Sequence, residues 1–379
     1  VYQKIAEKYG TPTYVYDFRK IKEQYNKLKS VVPEALIAYA VKANSNLSIL
    51  RFLRSLGAGF DIVSGGELYR VRKAGGGEII FSGVGKTEDE LRDAAGVLSL
   101  NVESLDELAL ISEMKLSIPI SLRINPDISV DTHPYISTGL RSSKFGIPLE
   151  LVDQALSIIK SGNLSLVGLS CHIGSHISDV SVLKSAYSCL REKFEEIRAC
   201  GFDLKILDFG GGLSVDLDLQ KFGSMIKEVT SGLDAKIVFE PGKFLVAESG
   251  VLLTKVLYRK DNGTHKFAVV DAGMNDLIRP SLYDAYHDIQ AISGSPNMEE
   301  ITIVGPVCET GCFLGKARLL PVLKRGDLLF IRDSGAYGFS MSSNYNSRPR
   351  ACEVAIELDG SIRCIRTRES YESLVASEP

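Results

Sequence analysis

Leu36-Ile37-Ala38-Tyr39-Ala40-Val41-Lys42-Ala43-Asn44 is a short, unbroken apolar run that closes on a lysine. A strand with one wet face would alternate apolar and polar residues. A continuous run reads instead as a strand buried on both faces, the situation in parallel sheets covered by helices. The same texture returns at Gly59–Val63, Glu78–Phe81, Val97–Val102, Ile118–Ile124, Leu166–Cys171, Lys205–Phe209 and Lys236–Phe239. Amphipathic, charged stretches of helical period separate these runs: Ser48–Ser55, Gly66–Ala74, Thr87–Ala95, Ser104–Glu113, Leu149–Ile159, Val182–Ala199 and Leu219–Val229. Eight strand–helix units in about 200 residues is the count of a TIM-like (β/α)8 barrel. On pattern alone, an open doubly wound sheet is the alternative.

After residue 250 the texture changes. Val251–Tyr258, Lys266–Val270, Ile301–Val304, Asp327–Ile331, Glu353–Leu358 and Ile362–Thr367 read as strands with few helical stretches between them. Asp359-Gly360 reads as a two-residue hairpin turn. Near the start, Thr13–Tyr16 is strand-like, and Asp17 is placed to cap a helix over Phe18–Ser30. The expected organisation is α/β: a barrel over residues 25–250, and a β-rich domain, sandwich- or barrel-like, from residues 1–24 and 251–379.

Bulk composition narrows the function classes. The 379 residues carry 44 Lys and Arg against 47 Asp and Glu, a net charge of −3. That balance argues against a nucleic-acid binder and against a polybasic membrane anchor. No apolar run reaches the ~18 residues of a membrane span. Val1-Tyr2-Gln3-Lys4 does not read as a secretory signal, and the missing initiator Met suggests a trimmed N-terminus. Seven cysteines without metal-type spacing point to reduced thiols and a cytoplasmic location.

Barrel enzymes carry their chemistry at the C-terminal ends of the strands, so the candidate residues can be read in order. They are Lys42, Asp61, Arg123, His172 with Ser175, Gly210-Gly211-Gly212, and Glu240-Pro241-Gly242-Lys243. A lysine finishing an apolar run can be desolvated towards the neutral amine that Schiff-base chemistry needs, or can simply snorkel to water. Three glycines after the seventh strand can cradle a phosphate on backbone N–H groups, or serve only a tight turn. Pro241-Gly242 has type II turn composition and holds Glu240 rigidly at a strand end. His172 and His176 stand four apart, but no cysteine or carboxylate completes a local zinc set. A lysine, a phosphate loop and a carboxylate together suit pyridoxal 5'-phosphate, whose pyridine nitrogen takes an acidic partner in carbanion-forming chemistry such as decarboxylation.

These residues carry a family resemblance. The chain resembles the fold-type III pyridoxal-phosphate decarboxylases, the ornithine/diaminopimelate/arginine decarboxylase family, and most closely its diaminopimelate-cleaving members. The motifs are Tyr39-Ala40-Val41-Lys42-Ala43-Asn44, Cys171-His172-Ile173-Gly174-Ser175, Gly210–Gly212, Glu240-Pro241-Gly242, Arg279-Pro280-Ser281-Leu282-Tyr283, Gly305-Pro306-Val307-Cys308-Glu309, and Gly335-Ala336-Tyr337 running to Asn344-Tyr345-Asn346. Their order covers nearly the whole chain. The resemblance implies that Lys42 carries the cofactor and that His172 stacks on its ring. It implies that Ser175, Gly210, Gly211, Gly212, Gly242 and Tyr337 hold its phosphate, and that Glu240 pairs with the pyridine nitrogen. Asp61 and Arg123 would support the ring-side network, and Lys243 would contact cofactor and substrate. Arg279, Tyr283 and Glu309 would bind substrate, joined by Tyr337, and Cys308 would donate the proton that replaces carbon dioxide. It also implies a homodimer in which the Cys308–Glu309 segment completes the partner's site, and a cover over the site from Thr132–Gly146.

Three positions depart from the family pattern. Lys243 stands where arginine is usual, His176 where glutamine is frequent, and Thr310-Gly311-Cys312 where Ser-Gly-Asp is common. Diaminopimelate carries an ammonium and a carboxylate at its far end, so its site needs an anion and a cation; Glu309 and Arg279 supply that pair. A substrate with only an amine there would leave the arginine unpaired. The expected reaction is decarboxylation of meso-2,6-diaminopimelate to L-lysine and carbon dioxide, the last step of lysine biosynthesis. The alternatives are a same-fold decarboxylase of ornithine, arginine or carboxynorspermidine, an alanine-racemase-like enzyme, and a non-catalytic pyridoxal-phosphate-binding regulatory homologue.

Overall fold

The computed structural model describes residues 1–126, 143–292 and 295–379. The chain divides into two compact units, Glu23–Phe244 and Val1–Lys22 with Leu245–Pro379. No helix among the described residues is long and apolar enough to cross a membrane.

In the first unit all eight apolar runs are strands: Leu36–Ala40, Gly59–Ile62, Ile79–Phe81, Ser99–Val102, Ile120–Asn125, Leu166–Ser170, Ile206–Asp208 and Lys236–Phe239. Each pairs in parallel with the next, and the eighth returns to the first with Phe239 opposite Ile37. The sheet is therefore closed, which excludes the open doubly wound alternative. Helices follow the strands, and several begin on side-chain caps: Ser64, Thr87, Ser104, Asp179 and Asp218 each accept a backbone N–H of the first turn. Leu36, Ala38, Ile80, Ile206 and Val238 form one buried core cluster.

A second cluster fixes the last two strands from outside. Tyr187 and Phe222, on the helices Val180–Ala199 and Leu219–Thr230, pack on Phe209 and Phe239 with ring centroids 4.3 to 6.3 Å apart. All four rings are fully buried. Phe209 immediately precedes the glycine turn and Phe239 immediately precedes Glu240, so this packing holds the two strand ends that carry candidate site residues.

The barrel also depends on one small residue. A Cβ on Gly168, in the sixth strand, would lie 2.5 Å from the Ile206 carbonyl oxygen and 2.7 Å from Ser121 Oγ. The nearer obstacle is backbone of the neighbouring strand, so it cannot swing aside as a flexible side chain would. Gly168→Ala is expected to lower stability by about 1–3 kcal/mol. A urea midpoint unchanged from wild type would contradict that packing.

The second unit is built on a mixed nine-stranded sheet. Thr13–Asp17 lies inside it, antiparallel to Gly250–Asp261 and parallel to Cys352–Ile356. Its core gathers Ile5, Val15, Val251, Leu253, Cys352, Val354 and Ile356. Two strands and one turn differ from the sequence reading, and one of the strands is Ile289–Ala291, antiparallel to Leu328–Ile331. Phe313–Pro321 is a strand, antiparallel to Met298–Val304 at the end of the sheet path; its exposed Lys316 is the kind of charge tolerated on an edge. The turn at Asp359-Gly360 is also one residue longer than expected. Ile356 pairs with Ile362, Glu357 N–H donates to the Ser361 carbonyl, and Gly360 sits at φ 83°. This is a three-residue loop with glycine in the left-handed position.

Candidate active site

The strand ends of the barrel bring a charged network together. Lys42 sits in the short 3-10 turn Val41–Ala43 directly after the first strand. Its Nζ lies 2.6 Å from Asp61 Oδ2 on the second strand, with Asp61 wholly buried and Lys42 34% exposed. The other Asp61 oxygen, Oδ1, is buried with no hydrogen-bond partner among the described residues. Arg123, on the fifth strand, donates to Glu103 Oε1 at 2.9 Å and lies over the Phe145 ring at 4.9 Å. Glu103 also accepts the N–H groups of Gly83 at 3.0 Å and Gly146 at 3.2 Å. It is a buried clamp at the end of the fourth strand.

The glycine turn follows the seventh strand, with Gly210 and Gly212 at φ 66° and 88°. A Cβ on Gly210, Gly211 or Gly212 would run into the carbonyl oxygen of Cys171, Glu240 or Gly174 respectively. Only glycine fits this close backbone approach, and Gly210 N–H donates to Asp208 Oδ1 at 2.9 Å. Gly211 N–H donates to His172 Nδ1 at 3.0 Å, which fixes that imidazole after the sixth strand. Burial, aided by the charges of Arg123 and Lys42, pushes His172 well below the usual histidine range. It is a neutral ring, suited to stacking on a planar group. Ser175 lies in the same loop, half-buried.

Glu240, after the eighth strand, is buried. Burial first, then the carboxylates of Asp208 and Asp61, push it well above the usual range, against the pull of Lys42. Asp208 is likewise raised by burial. The two buried carboxyl groups titrate as a pair, and the Asp208 charge opposes ionisation of Glu240. Asn101 links this pair to its surroundings, donating to Ser82 Oγ at 3.0 Å and Asp208 Oδ2 at 3.4 Å. A Cβ on Gly242 would lie 3.1 Å from Ala43 and 3.2 Å from Ala40, so the turn after Glu240 packs on the Lys42 segment. Lys243 Nζ lies 2.5 Å from His176 Nε2.

The second unit holds the other candidates. Arg279 opens the helix Arg279–Tyr283, and its guanidinium lies 5.6 Å from the Tyr283 ring centre and 5.8 Å from that of Tyr337. Burial lowers its pKa while the two tyrosines oppose that. Tyr337 takes a left-handed conformation, φ 55°. Cys308 and Glu309 are exposed on a turn. Cys308 N–H donates to Asn346 Oδ1 at 2.8 Å, and the Glu309 carboxylate accepts from Tyr345. Ser281 Oγ donates to the Gly311 carbonyl at 2.6 Å, tying this turn to the Arg279 helix. Cys312 has a structural place here. It is buried, its Sγ accepts Met274 N–H at 3.4 Å, and its carbonyl accepts Gly305 N–H at 3.0 Å.

The sequence reading passed over three residues. Glu103 stands one residue past the fourth strand, where the strand-end rule would have found it. Asp208 is an acidic residue inside an apolar run, a signal in itself. Glu67, pushed up to about 7 mainly by burial, feels the charges of Asp61 and Lys42; it sits on a helix, where the strand-end rule does not look. His172 and His176 contact different partners, Gly211 and Lys243. Of the expected cover Thr132–Gly146, residues 132–142 lie outside the described residues.

A lysine amine, a glycine cradle, a neutral imidazole and a buried carboxylate at one barrel mouth are the donor set that pyridoxal phosphate asks for, so the residues fit that cofactor. Comparison with known proteins agrees. A family model described as the pyridoxal binding domain of pyridoxal-dependent decarboxylases matches residues 18–247. The chain is 44% identical over 390 residues to a diaminopimelate decarboxylase of Aquifex aeolicus, covering 98% of this chain and 93% of that protein. It superposes with TM-score 0.95 on a crystal structure of diaminopimelate decarboxylase from Helicobacter pylori complexed with L-lysine, at 42% identity over 100% of this chain and 99% of that one. A diaminopimelate decarboxylase from M. jannaschii, in co-complex with L-lysine, gives TM-score 0.91 at 35% identity, covering 99% and 94%.

Proposed function

The chain belongs to the diaminopimelate decarboxylases, within the pyridoxal-dependent decarboxylase family, and on that premise we infer how its residues divide the work. The reaction is the decarboxylation of meso-2,6-diaminopimelate to L-lysine and carbon dioxide, with pyridoxal phosphate as cofactor. The observation that carries this reading is the convergence of the Lys42–Asp61 pair, the glycine turn and buried Glu240 at one barrel mouth.

Pyridoxal phosphate, when bound, supplies the electron sink for the bonding pair left behind as the carboxylate departs. Lys42 is the residue that attaches the cofactor covalently, and Asp61 holds its amine. Ser175, Gly210, Gly211, Gly212, Gly242 and Tyr337 would hold the phosphate, and Lys243 would contact cofactor and substrate. His172, neutral and pinned by Gly211, would stack on the cofactor ring, and Arg123, held by Glu103, would brace that side. Glu240 pairs with the pyridine nitrogen; its raised proton affinity makes it a strong partner for a cation there. Arg279 takes the distal carboxylate of the substrate, with Tyr283 and Tyr337 flanking it, and Glu309 takes the distal ammonium. Cys308 Sγ delivers a proton to the carbon that has lost carbon dioxide.

We also infer a homodimer in which Cys308 and Glu309 complete the partner's site. The exposure of this turn in the single chain supports that reading, since a proton donor needs a site that excludes water. Seven cysteines without metal-type spacing support residence in the reducing cytoplasm.

Carbon dioxide release across meso-diaminopimelate, ornithine, arginine and lysine tests the substrate. Release from meso-diaminopimelate alone, with lysine as product, is expected. Arg279→Ala should lower kcat/KM for it by roughly a hundredfold or more, because a distal carboxylate would lose its cation. Comparable turnover of ornithine by wild type would overturn the assignment.

A further inference from the structure

The two departures from the family pattern at the barrel mouth touch each other. Lys243 Nζ lies 2.5 Å from His176 Nε2 and 3.4 Å from Nδ1. His176 is held in place from both sides. Ahead of it, His172 accepts Gly211 N–H at 3.0 Å. Behind it, Ile177 N–H donates to the Gly212 carbonyl at 2.9 Å and Ser214 N–H donates to the Ile177 carbonyl at 3.1 Å. The loop is thus stitched to the glycine turn, and between the stitches His176 takes φ 62°, a left-handed conformation uncommon for a side-chain-bearing residue. From there the imidazole meets Lys243.

An ammonium has three protons to donate and no acceptor. It can therefore give an N–H to His176 and still contact a second ligand. Lysine lacks the planar fork of arginine, and ordering its flexible four-carbon stem costs rotamer entropy. A lysine used to bind an anion therefore gains from a neighbour that holds its end still. His176 has the reach and the lone pair to do so, provided its Nε2 carries no proton.

We propose that His176 is a positioning residue that fixes the Lys243 ammonium at the barrel mouth as the cation for an oxyanion, either the cofactor phosphate or a substrate carboxylate. The proposal rests on the decarboxylase reading for the identity of those ligands, and on the His176–Lys243 contact for everything else.

The test is a mutant cycle on the holoenzyme with two readouts, apparent cofactor Kd from absorbance against added pyridoxal phosphate, and kcat and KM for meso-diaminopimelate. His176→Asn keeps a residue at ease in the left-handed region but cannot reach Lys243. His176→Gln keeps an acceptor at about the original reach. His176→Asn is expected to raise cofactor Kd or substrate KM by about 3–10-fold while kcat stays within about twofold. A rise in Kd identifies the phosphate as the oxyanion, and a rise in KM alone identifies the carboxylate. His176→Gln should recover most of the loss. The double variant His176→Asn/Lys243→Ala should be no worse than Lys243→Ala. Unchanged Kd and KM in His176→Asn, a loss confined to kcat, or fully multiplicative effects in the double variant would each overturn the proposal. Wild-type protein that releases no carbon dioxide would instead defeat the decarboxylase reading, and the Kd arm would still judge the pair.

Discussion

Lys42→Ala should abolish the absorbance band that a covalently attached cofactor gives near the visible edge, and should cut kcat by at least about a thousandfold. Two effects are combined in that variant. The first is chemical, since no other lysine among the candidates stands at the first strand end. The second is electrostatic. Asp61 is wholly buried and one of its oxygens already has no partner among the described residues. Removing Lys42 strips the charge opposite the other oxygen. Breaking a buried ion pair costs about 3–5 kcal/mol, and the figure here should be smaller because Lys42 is a third exposed. Lys42→Arg separates the effects. It keeps a cation opposite Asp61 but has no nucleophilic amine, so it should unfold close to the wild-type midpoint and still lack the band. A band retained in both variants would remove Lys42 from the chemistry.

The fold and the strand-end candidates are legible for the same reason. Parallel strands buried on both faces must be apolar throughout, so their ends are visible wherever polarity returns. Lys42, His172, Gly210 and Glu240 each stand within two residues of such an end. Asp61 and Arg123 lie just inside it, as charged residues in otherwise apolar strands. What is not legible is partnership. Glu103 braces Arg123 only because the fourth and fifth strands are neighbours in the closed sheet. Asp208 meets Glu240, and His176 meets Lys243, through contacts between the sixth, seventh and eighth strand ends. Phe313–Pro321 escaped notice because an edge strand may carry Lys316 and Arg318, which breaks the apolar pattern. Cys312 read as a departure in a functional motif, yet its buried sulfur accepts a backbone N–H and packs beside Gly273 and Gly305.

Glu240→Gln is expected to make the protein more stable and a poorer enzyme. Three carboxyl groups, Asp61, Asp208 and Glu240, are buried at the barrel mouth. Burial and the two neighbouring carboxylates both oppose ionisation of Glu240. An acid whose folded-state pKa lies above its unfolded value stabilises the fold only while protonated. That contribution is intact below the unfolded pKa and is lost as pH rises towards the folded one. Glutamine keeps the shape and a hydrogen bond without the charge. With the cofactor removed, the variant should therefore unfold at higher temperature than wild type, and the gain should be larger at pH 8 than at pH 5. Catalysis should move the other way. The same crowding makes Glu240 a strong partner for a protonated pyridine nitrogen, and a neutral amide cannot balance a buried cation. Loss of one preorganised electrostatic partner typically costs about 10²–10³ in kcat, and that loss is expected here with KM less affected. Stability spent to hold three acids together is then the source of the electron sink's strength, the trade expected where a fold breaks its own rules at a working site. A kcat within about threefold of wild type would break that link, and a lower unfolding temperature at pH 8 would show that Asp208 and Asp61 do not crowd Glu240 as the geometry requires.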